Sequence, residues 1–264
     1  MKWMNRYNVV VMKNTYLLAD IGNTSYDLAK YDGSIISAKK IFLSKKEELE
    51  RYISSIKDEI GFAMISSVNH NGLLDLVECL KKQEIPYEKI SPYVMDDFCA
   101  EHGYKVDNTS YLGTDLFCDI IAVDDLPAII IDLGTVGKIL FIDENKVFHG
   151  ASIFPDIEQF AKMMDMSTDL LEESALRENP PLVSLKTGEC ISSGAINGMS
   201  ALVGGMVNRI MKEYPQSKPY HIYLTGGCSP MIEKTLKEHH LSSFIKAPNL
   251  CLYGIAKILE DIKK

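Results

Sequence analysis

The chain has 264 residues, of which 46% are hydrophobic and 24% are charged, and its formal net charge is −8. This composition is typical of a soluble globular protein, and the length suffices for one large domain or for two lobes with separate cores. The acidic balance argues against a nucleic-acid-binding protein, whose surface is usually basic, and no apolar run approaches membrane-spanning length.

The first predicted element is a β-hairpin near the start of the chain. An apolar run ends in Asp20, a turn of Gly22, Asn23 and Thr24 follows, and a second apolar segment covers residues 26–31. Apolar runs bounded by turn residues are typical of strands. Gly22 lets a ligand approach the backbone, the turn offers N–H groups and a hydroxyl to phosphate oxygens, and an aspartate can hold a cation that binds phosphate.

Strands and helices alternate through the rest of the first half. Ser44 and Glu47 form a predicted capping box at a helix start. Residues 91–111 lack clean periodicity and are predicted to be loop with at most one helical turn, and the sequence at 124–127 indicates a lobe boundary. The predicted strands are residues 35–43, 62–66 and 86–90, and the predicted helices are residues 44–60, 72–83 and 114–123.

The second half begins with what looks like a copy of the first hairpin. An apolar run ends in Asp132, Gly134 and Thr135 form the turn, and a second apolar segment follows, 112 residues after the first copy. A single Asp-x-Gly is a common turn, but two copies that both join strand-like segments favour a nucleotide site. A duplicated hairpin of this kind grips ATP between two related lobes in the actin, sugar-kinase and Hsp70 type of fold.

The remaining elements support an α/β fold of two related lobes, residues 12–125 and 126–264, with a nucleotide cleft between them. The turn containing Gly226 and Gly227 follows a strand and precedes a helix, where backbone can approach a nucleoside. Further strands are predicted at residues 146–153 and 221–224, and helices at 155–164, 191–214, 230–239 and 252–262.

Gly113, Thr114 and Asp115 begin a predicted helix and allow two interpretations. Asp115 in the first turn favours the helix dipole, so it can be an ordinary capping acid. It can equally be a general base that deprotonates a substrate hydroxyl for attack on a γ-phosphate. The sequence pattern alone leaves both open.

The order of motifs from about residue 15 to the C-terminus resembles the type III pantothenate kinases, members of the acetate-kinase, sugar-kinase, Hsp70 and actin superfamily with its ribonuclease H-like lobes. Seven elements match in order. They are residues 20–24 (Asp-Ile-Gly-Asn-Thr), 66–68 (Ser-Ser-Val), 113–116 (Gly-Thr-Asp-Leu), 132–136 (Asp-Leu-Gly-Thr-Val), 150–156 (Gly-Ala-Ser-Ile-Phe-Pro-Asp), 187–194 (Thr to Ser-Gly) and 225–227 (Thr-Gly-Gly).

The resemblance implies a cytoplasmic ATP-dependent kinase, usually dimeric, that phosphorylates pantothenate in the first step of coenzyme A biosynthesis. By that resemblance Asp20 and its turn contact ATP phosphates and Mg²⁺, and Asp132 binds K⁺ or NH₄⁺. Asp115 accepts the proton of the pantothenate hydroxyl. The same resemblance assigns ATP contacts to Thr135 and pantothenate contacts to Gly113, Thr114, Leu116 and Thr187.

Three departures from the family pattern leave alternatives open. Leu116 replaces an arginine and cannot pair with a carboxylate. Lys138 replaces a threonine and can touch phosphate, fill the place of the substrate or be a solvated strand lysine. Asp156 replaces a glycine and adds a negative charge near the expected site. A non-catalytic homologue, or a kinase for another small hydroxyl substrate, therefore competes with an active pantothenate kinase.

Cysteines and histidines indicate no further chemistry. The six cysteines contain no CxxC pair, which is typical of reduced thiols in a cytosolic protein, and the six histidines are too scattered to form a metal-ligand set.

Overall fold

The computed structural model describes residues 14–166, 176–239, 241 and 243–263. The described residues divide into two units, one comprising those up to 124 together with those from 249 onward, and the other residues 125–248. The final helix thus groups with the first unit, although the lobe predicted from the sequence, residues 126–264, includes it.

The first unit is a five-stranded sheet with helices on both faces. Its strand order is β3-β2-β1-β4-β5, with β1 antiparallel to β2 and parallel to β4. Its elements are β1 (Thr15–Ile21), β2 (Ser25–Tyr31), β3 (Ile35–Phe42), α1 (Lys46–Ile56), β4 (Ile60–Ser67), α2 (His70–Lys82), β5 (Tyr87–Lys89), α3 (Pro92–His102), α4 (Thr114–Ala122) and, at the end of the chain, α8 (Leu250–Lys263).

Alternate residues of β1 feed two hydrophobic clusters, because successive side chains of a strand point to opposite faces. Leu17 packs in a cluster with Leu49 of α1, whereas Leu18 packs in a second cluster with Phe117 of α4 and Leu252 of α8. All five side chains are almost fully buried. A strand covered on both faces carries a continuous apolar run, which explains the sequence before Asp20.

Helix α8 packs directly on the backbone of α4. A side-chain carbon at Gly254 would collide with the backbone of Cys118, so only glycine allows the two helices this approach. This contact fixes the C-terminal helix in the first unit.

The second unit repeats the sheet of the first. Its strand order is β10-β9-β6-β7-β8, in which β6, β7 and β8 are antiparallel neighbours and β9 runs parallel to β6, so β6 to β10 correspond in order to β1 to β5. Its elements are β6 (Ala128–Leu133), β7 (Val136–Ile142), β8 (Phe148–Pro155), α5 (Ile157–Met166), α6 (Thr187–Glu213), β9 (His221–Thr225), α7 (Glu233–Leu236) and β10 (Ile245–Lys246). The duplication predicted from the two hairpins is confirmed, as is the α/β class.

Helix α6 supplies much of the second core. Ile129 and Ile131 of β6 pack in one buried cluster with Val203 and Val207 of α6. By length and composition alone α6 could cross a membrane, but 56% of its most apolar window is buried, as in the core helix of a soluble protein. It begins at Thr187, one turn earlier than the sequence predicts.

Three local predictions are wrong. Ser44 does not cap α1, since that helix begins at Lys46 without a side-chain cap. The segment predicted as loop contains α3, whose start is capped by the Ser91 hydroxyl and whose end is formed by left-handed Gly103. The helix predicted at 230–239 is broken into α7 and two flanking 3₁₀ turns, Ser229–Met231 and Lys237–His239.

Candidate active site

Asp20 lies at the sheet edge where parallel strands β1 and β4 both end. In the strand register it is directly beside Ser66 of β4 and opposite Asp27 of β2. The Gly22 N–H donates to the Ser25 carbonyl at 3.0 Å and closes the turn, which leaves the predicted ATP-binding residues Asn23 and Thr24 exposed. This edge is where α/β sheets commonly bind ligands.

Thr114 anchors the start of α4 to the same edge. Its buried hydroxyl lies 3.0 Å from the Ser66 hydroxyl and accepts a hydrogen bond of 3.1 Å from the Ser67 N–H. The hydroxyl is therefore committed to the protein. Thr114 thus holds the N-terminus of α4 at the sheet edge where Asp20 lies. Because its hydroxyl is engaged, only the backbone of Thr114 is available for the predicted substrate contact.

Asp115 follows Thr114 in the first turn of α4 and is half-buried. A side-chain carbon at Gly113 would lie 2.5 Å from the Asp115 Oδ1 atom. A larger residue at position 113 would therefore have to displace this carboxylate from its place in the structure. Leu116, where the family pattern has arginine, is half-buried next to it.

Strand pairing and hydrogen bonding bring Asp20 and the start of α4 to the same sheet edge. Asp20 is beside Ser66 in the strand register, and the Ser66 hydroxyl lies 3.0 Å from the hydroxyl of Thr114, the residue before Asp115. In agreement with this placement, the pKa of Cys118 in α4 is raised by burial and further by the carboxylates of Asp20 and Asp115. The predicted metal-binding acid and the predicted general base therefore lie at one edge of the first sheet.

In the second unit, Asp132 is bound by Lys138. The two residues are directly opposite on β6 and β7, and the Lys138 Nζ atom donates to the Asp132 Oδ2 atom at 2.7 Å. The lysine side chain is only 17% exposed and the aspartate 14%. Lys138 is therefore part of an enclosed ion pair and is not a solvated strand lysine.

The turn after β9 packs against the end of β6. Gly226 has a φ of +90°, and a side-chain carbon there would collide with the Leu133 backbone. The Cys228 N–H donates to the Leu133 carbonyl at 2.9 Å and fixes the turn. Gly226 is needed for this internal packing, whereas exposed Gly227 faces open space, as the predicted nucleoside contact requires.

Gly134 and Thr135, the predicted ATP-binding turn of the second hairpin, connect β6 to β7 and are half-exposed. A side-chain carbon at Gly134 would approach the Asp132 Oδ1 atom no closer than 3.7 Å. A side-chain carbon at position 134 would therefore meet no steric conflict within the protein, so internal packing does not require glycine in this turn.

Asp156, which the sequence predicts to add a negative charge near the site, is fully buried just before α5. Burial raises its pKa, as do the nearby carboxylates of Asp132 and Glu158, against the opposing effect of the Cys228 thiol and the Ile157 backbone. The charged form is thus disfavoured.

Thr187, the remaining predicted substrate residue, is the first residue of α6 and is exposed. Beside it the Ser184 hydroxyl donates to Glu189 at 2.6 Å. No group of three or more His, Cys, Asp or Glu residues suited to a metal ion occurs in the described part of the chain.

The structure adds two sets of contacts at the predicted site residues that the motifs alone do not reveal. The first comprises the hydroxyl–hydroxyl hydrogen bond between Ser66 and Thr114 and the hydrogen bond that the Ser67 N–H donates to Thr114, and the second is the pairing of Asp132 with Lys138. The ion pair depends on a register in which the turn spans residues 134–136, because a two-residue turn at 134–135 would place residue 137 opposite Asp132. The contacts of Thr114 join residues 47 and 48 positions apart and have no local sequence signal.

Comparisons with known proteins agree with this arrangement. The sequence profile of the type III pantothenate kinases matches residues 16–209. The type III pantothenate kinase of Phocaeicola vulgatus is 30% identical over 92% of this chain and 97% of its own, and that of an Exiguobacterium species is 25% identical over 94% and 99%.

Solved structures share the fold. A putative Baf family transcriptional activator from Campylobacter jejuni superposes with a TM-score of 0.59 at 19% identity, covering 94% of this chain and 98% of its own. The activator of 2-hydroxyisocaproyl-CoA dehydratase from Clostridium difficile, solved with bound ADPNP, gives 0.52 at 14% identity, with 94% and 97% covered. These likenesses establish an actin-like ATPase fold.

The profile match covers well over half of the chain, and it agrees with the twin hairpins and the motifs in both units. The chain belongs to the type III pantothenate kinase family.

Proposed function

We propose that this protein transfers the γ-phosphate of ATP to the 4′-hydroxyl of pantothenate, giving 4′-phosphopantothenate and ADP in the first step of coenzyme A biosynthesis. Family membership supports an ATP-dependent kinase in general. The observation that supports the specific proposal is the contact of Thr114 with Ser66, which brings the first turn of α4, and with it Asp115, to the sheet edge where Asp20 lies.

Asp115 acts as the general base in this reaction. It accepts the proton of the pantothenate hydroxyl, whose oxygen forms a bond to the γ-phosphorus, while the bond from phosphorus to the bridging oxygen breaks and ADP leaves. Thr114 positions the base by holding the start of α4 on β4. The backbone of residues 113–116 and the exposed Thr187 hydroxyl bind pantothenate.

ATP is bound through backbone groups in both units. We assign the turn of Gly22, Asn23 and Thr24 to the phosphates, Gly134 and Thr135 to further ATP contacts, and Gly226 and Gly227 to the nucleoside side. The Gly22 site is sterically open, since a side-chain carbon there would approach only the Ser25 carbonyl oxygen, at 3.8 Å.

Magnesium fits the residues of the first unit. Asp20 offers hard oxygen ligands at the end of β1, and Mg²⁺ is usually held by one or two carboxylates together with substrate phosphates. When bound, Mg²⁺ neutralises charge that develops on the phosphate oxygens.

A monovalent cation at Asp132 does not fit, because the Lys138 ammonium already binds that carboxylate at 2.7 Å. No step of the proposed reaction depends on such an ion.

We further propose that the protein is a cytoplasmic homodimer that binds neither nucleic acid nor membrane. The side chains of Leu182, Val183 and Leu185 are 78%, 84% and 104% exposed, and a contiguous exposed apolar segment favours a protein contact. The net charge of −8 disfavours nucleic acid.

One observation favours a second candidate. Leu116 removes the arginine that the family pattern places beside the base, so a kinase that phosphorylates a different small hydroxyl compound is the alternative. A homologue without phosphoryl-transfer activity is a further alternative, and the assay described next distinguishes it from both kinases.

The test is a coupled ADP-release assay with the purified full chain, ATP and Mg²⁺, and with pantothenate compared against a panel of small alcohols and sugars. We expect ADP release with pantothenate and a product heavier by one phosphoryl group. Release with another compound alone would favour the second candidate, and release with none would show a non-catalytic homologue.

A further inference from the structure

We propose that the Lys138 ammonium is a built-in replacement for a monovalent cation, so that nucleotide binding and turnover by this protein are independent of K⁺ and NH₄⁺. The expected effect on turnover rests on the proposed function, whereas the expected effect on melting temperature does not. It concerns the charge at Asp132 in the second hairpin, next to the turn assigned to ATP.

The ion pair has the geometry of a fixed site. Asp132 and Lys138 are opposite residues on the antiparallel strands β6 and β7, so the backbone ladder sets their separation. The Nζ–Oδ2 distance of 2.7 Å is that of a short charge-assisted hydrogen bond. The two side chains are 17% and 14% exposed, which shields the pair from water and salt.

The ammonium group has the charge and donor chemistry of NH₄⁺. A lysine head group is a compact point charge with donors that rotate freely, and it presents one positive charge to the carboxylate as a bound monovalent cation would. A second cation on the same carboxylate would lie within a few ångströms of the first, where like charges in a shielded site repel strongly. The residues present therefore exclude K⁺ from this carboxylate.

Lys40 offers a strand lysine in which the pairing is exposed. Lys40 of β3 pairs with Asp27 at 3.4 Å, and its side chain is 52% exposed. That pair is long and solvated, and it lies outside the hairpin turns. Lys40 is therefore a matched control, since it is a lysine on a strand, paired with an aspartate of a neighbouring strand, without enclosure.

The decisive variant is Lys138→Thr, which exchanges the ammonium for a hydroxyl and frees Asp132. We expect the variant to become cation-dependent. Its melting temperature and its ATP affinity should rise in K⁺ or NH₄⁺ relative to tetramethylammonium at the same ionic strength, about 0.15 M. The expected gain in ATP affinity is about tenfold, because a charge-assisted contact is restored.

The wild type and Lys40→Thr are the controls. We expect neither to change its melting temperature or its calorimetric ATP affinity when K⁺ replaces tetramethylammonium. Lys138→Gln, which keeps the length of the side chain and removes its charge, covers the case in which the threonine variant fails to fold. It should show the same gain of cation response.

Two results would overturn the inference. The first is a wild type whose ATP affinity or melting temperature rises with K⁺ or NH₄⁺. The second is that the melting temperature and ATP affinity of both Lys138→Thr and Lys138→Gln respond to these cations no more than those of the wild type. Melting temperature is measured without substrate, so an inactive wild type would reject the proposed function and leave the cation test intact.

Discussion

The two hairpins are both antiparallel, but their registers differ by one residue, so a different kind of side chain lies opposite the acid in each. In the first, Asp20 is opposite Asp27, whereas in the second Asp132 is opposite Lys138. In the first hairpin Asp27 pairs with Lys40 of β3, whereas in the second the lysine opposite the acid pairs with Asp132 itself. The residue opposite the acid therefore determines which carboxylate of the hairpin carries the ion pair.

The largest effect is expected at the base held beside the first hairpin. Asp115→Asn keeps the size of the side chain but removes its ability to accept a proton, so kcat should fall by about a hundredfold to ten-thousandfold. ATP affinity, measured by calorimetry, should stay within about twofold, since Asp115 is assigned to the other substrate. Exposed Asp107→Asn is the control. Turnover equal to the wild type would remove Asp115 from its role.

The turn glycines separate packing from ligand binding in the two units. Gly226→Ala should lower the free energy of unfolding by about 1–3 kcal/mol, because the methyl group meets the Leu133 backbone at a positive φ. Gly22→Ala should change stability by no more than about 0.5 kcal/mol while weakening ATP binding. Denaturant unfolding and calorimetry measure the two effects. Equal stability of both variants would contradict the packing described for the second turn.

Leu116→Arg tests the substrate side of the first unit. A guanidinium beside the base supplies the paired donors that suit a carboxylate such as that of pantothenate, so the KM for pantothenate should fall about tenfold. The KM for ATP should not move. Leu116→Met, which conserves volume, is the control. An unchanged pantothenate KM in the arginine variant would mean that another residue already anchors the carboxylate.

Asp156 gives the smallest effect, a pH-dependent one in the second unit. Its pKa is raised above the ordinary 3.8, so the folded state binds more protons than the unfolded state and stability decreases as the pH rises above about 4. Asp156→Asn removes this loss and should raise the melting temperature at pH 8 by roughly 2–4 °C. The gain should vanish near pH 4.

Exposed Asp58→Asn serves as the control for that pH series. Its difference from the wild type should be small at every pH. A melting temperature of Asp156→Asn that is lower than the wild type at pH 8 and independent of pH would show that the carboxylate is charged and stabilising in the folded protein.

Much of the fold follows from local sequence. The sequence predicts both hairpins, strands β4 and β9, and the start of α4. It does so because apolar runs, glycine turns and helical periodicity are local signals. Helix α3 is missed since its apolar residues do not form a regular stripe, although Ser91, Pro92 and Gly103 are ordinary start and stop residues. The grouping of α8 with the first unit is not predictable, because it depends on a long-range contact between Gly254 and Cys118.

The site is predicted less completely than the fold. Residue types and motifs predict Asp20, Asp115 and Asp132 as the acids of the site, but the partners of these residues are set by tertiary structure. The engagement of Thr114 by Ser66 and the burial of Asp156 leave no signature in neighbouring residues. The roles of individual residues in ATP and pantothenate binding stay predictions.

The most direct test is a measurement of product. The purified protein is incubated with ATP, Mg²⁺ and pantothenate in a buffer whose only monovalent cation is tetramethylammonium. The 4′-phosphopantothenate formed is then quantified by mass spectrometry. We predict stoichiometric conversion of ATP to product, with no increase on adding K⁺ and with product lost in Asp115→Asn. Absence of product both with and without K⁺ would contradict the kinase assignment.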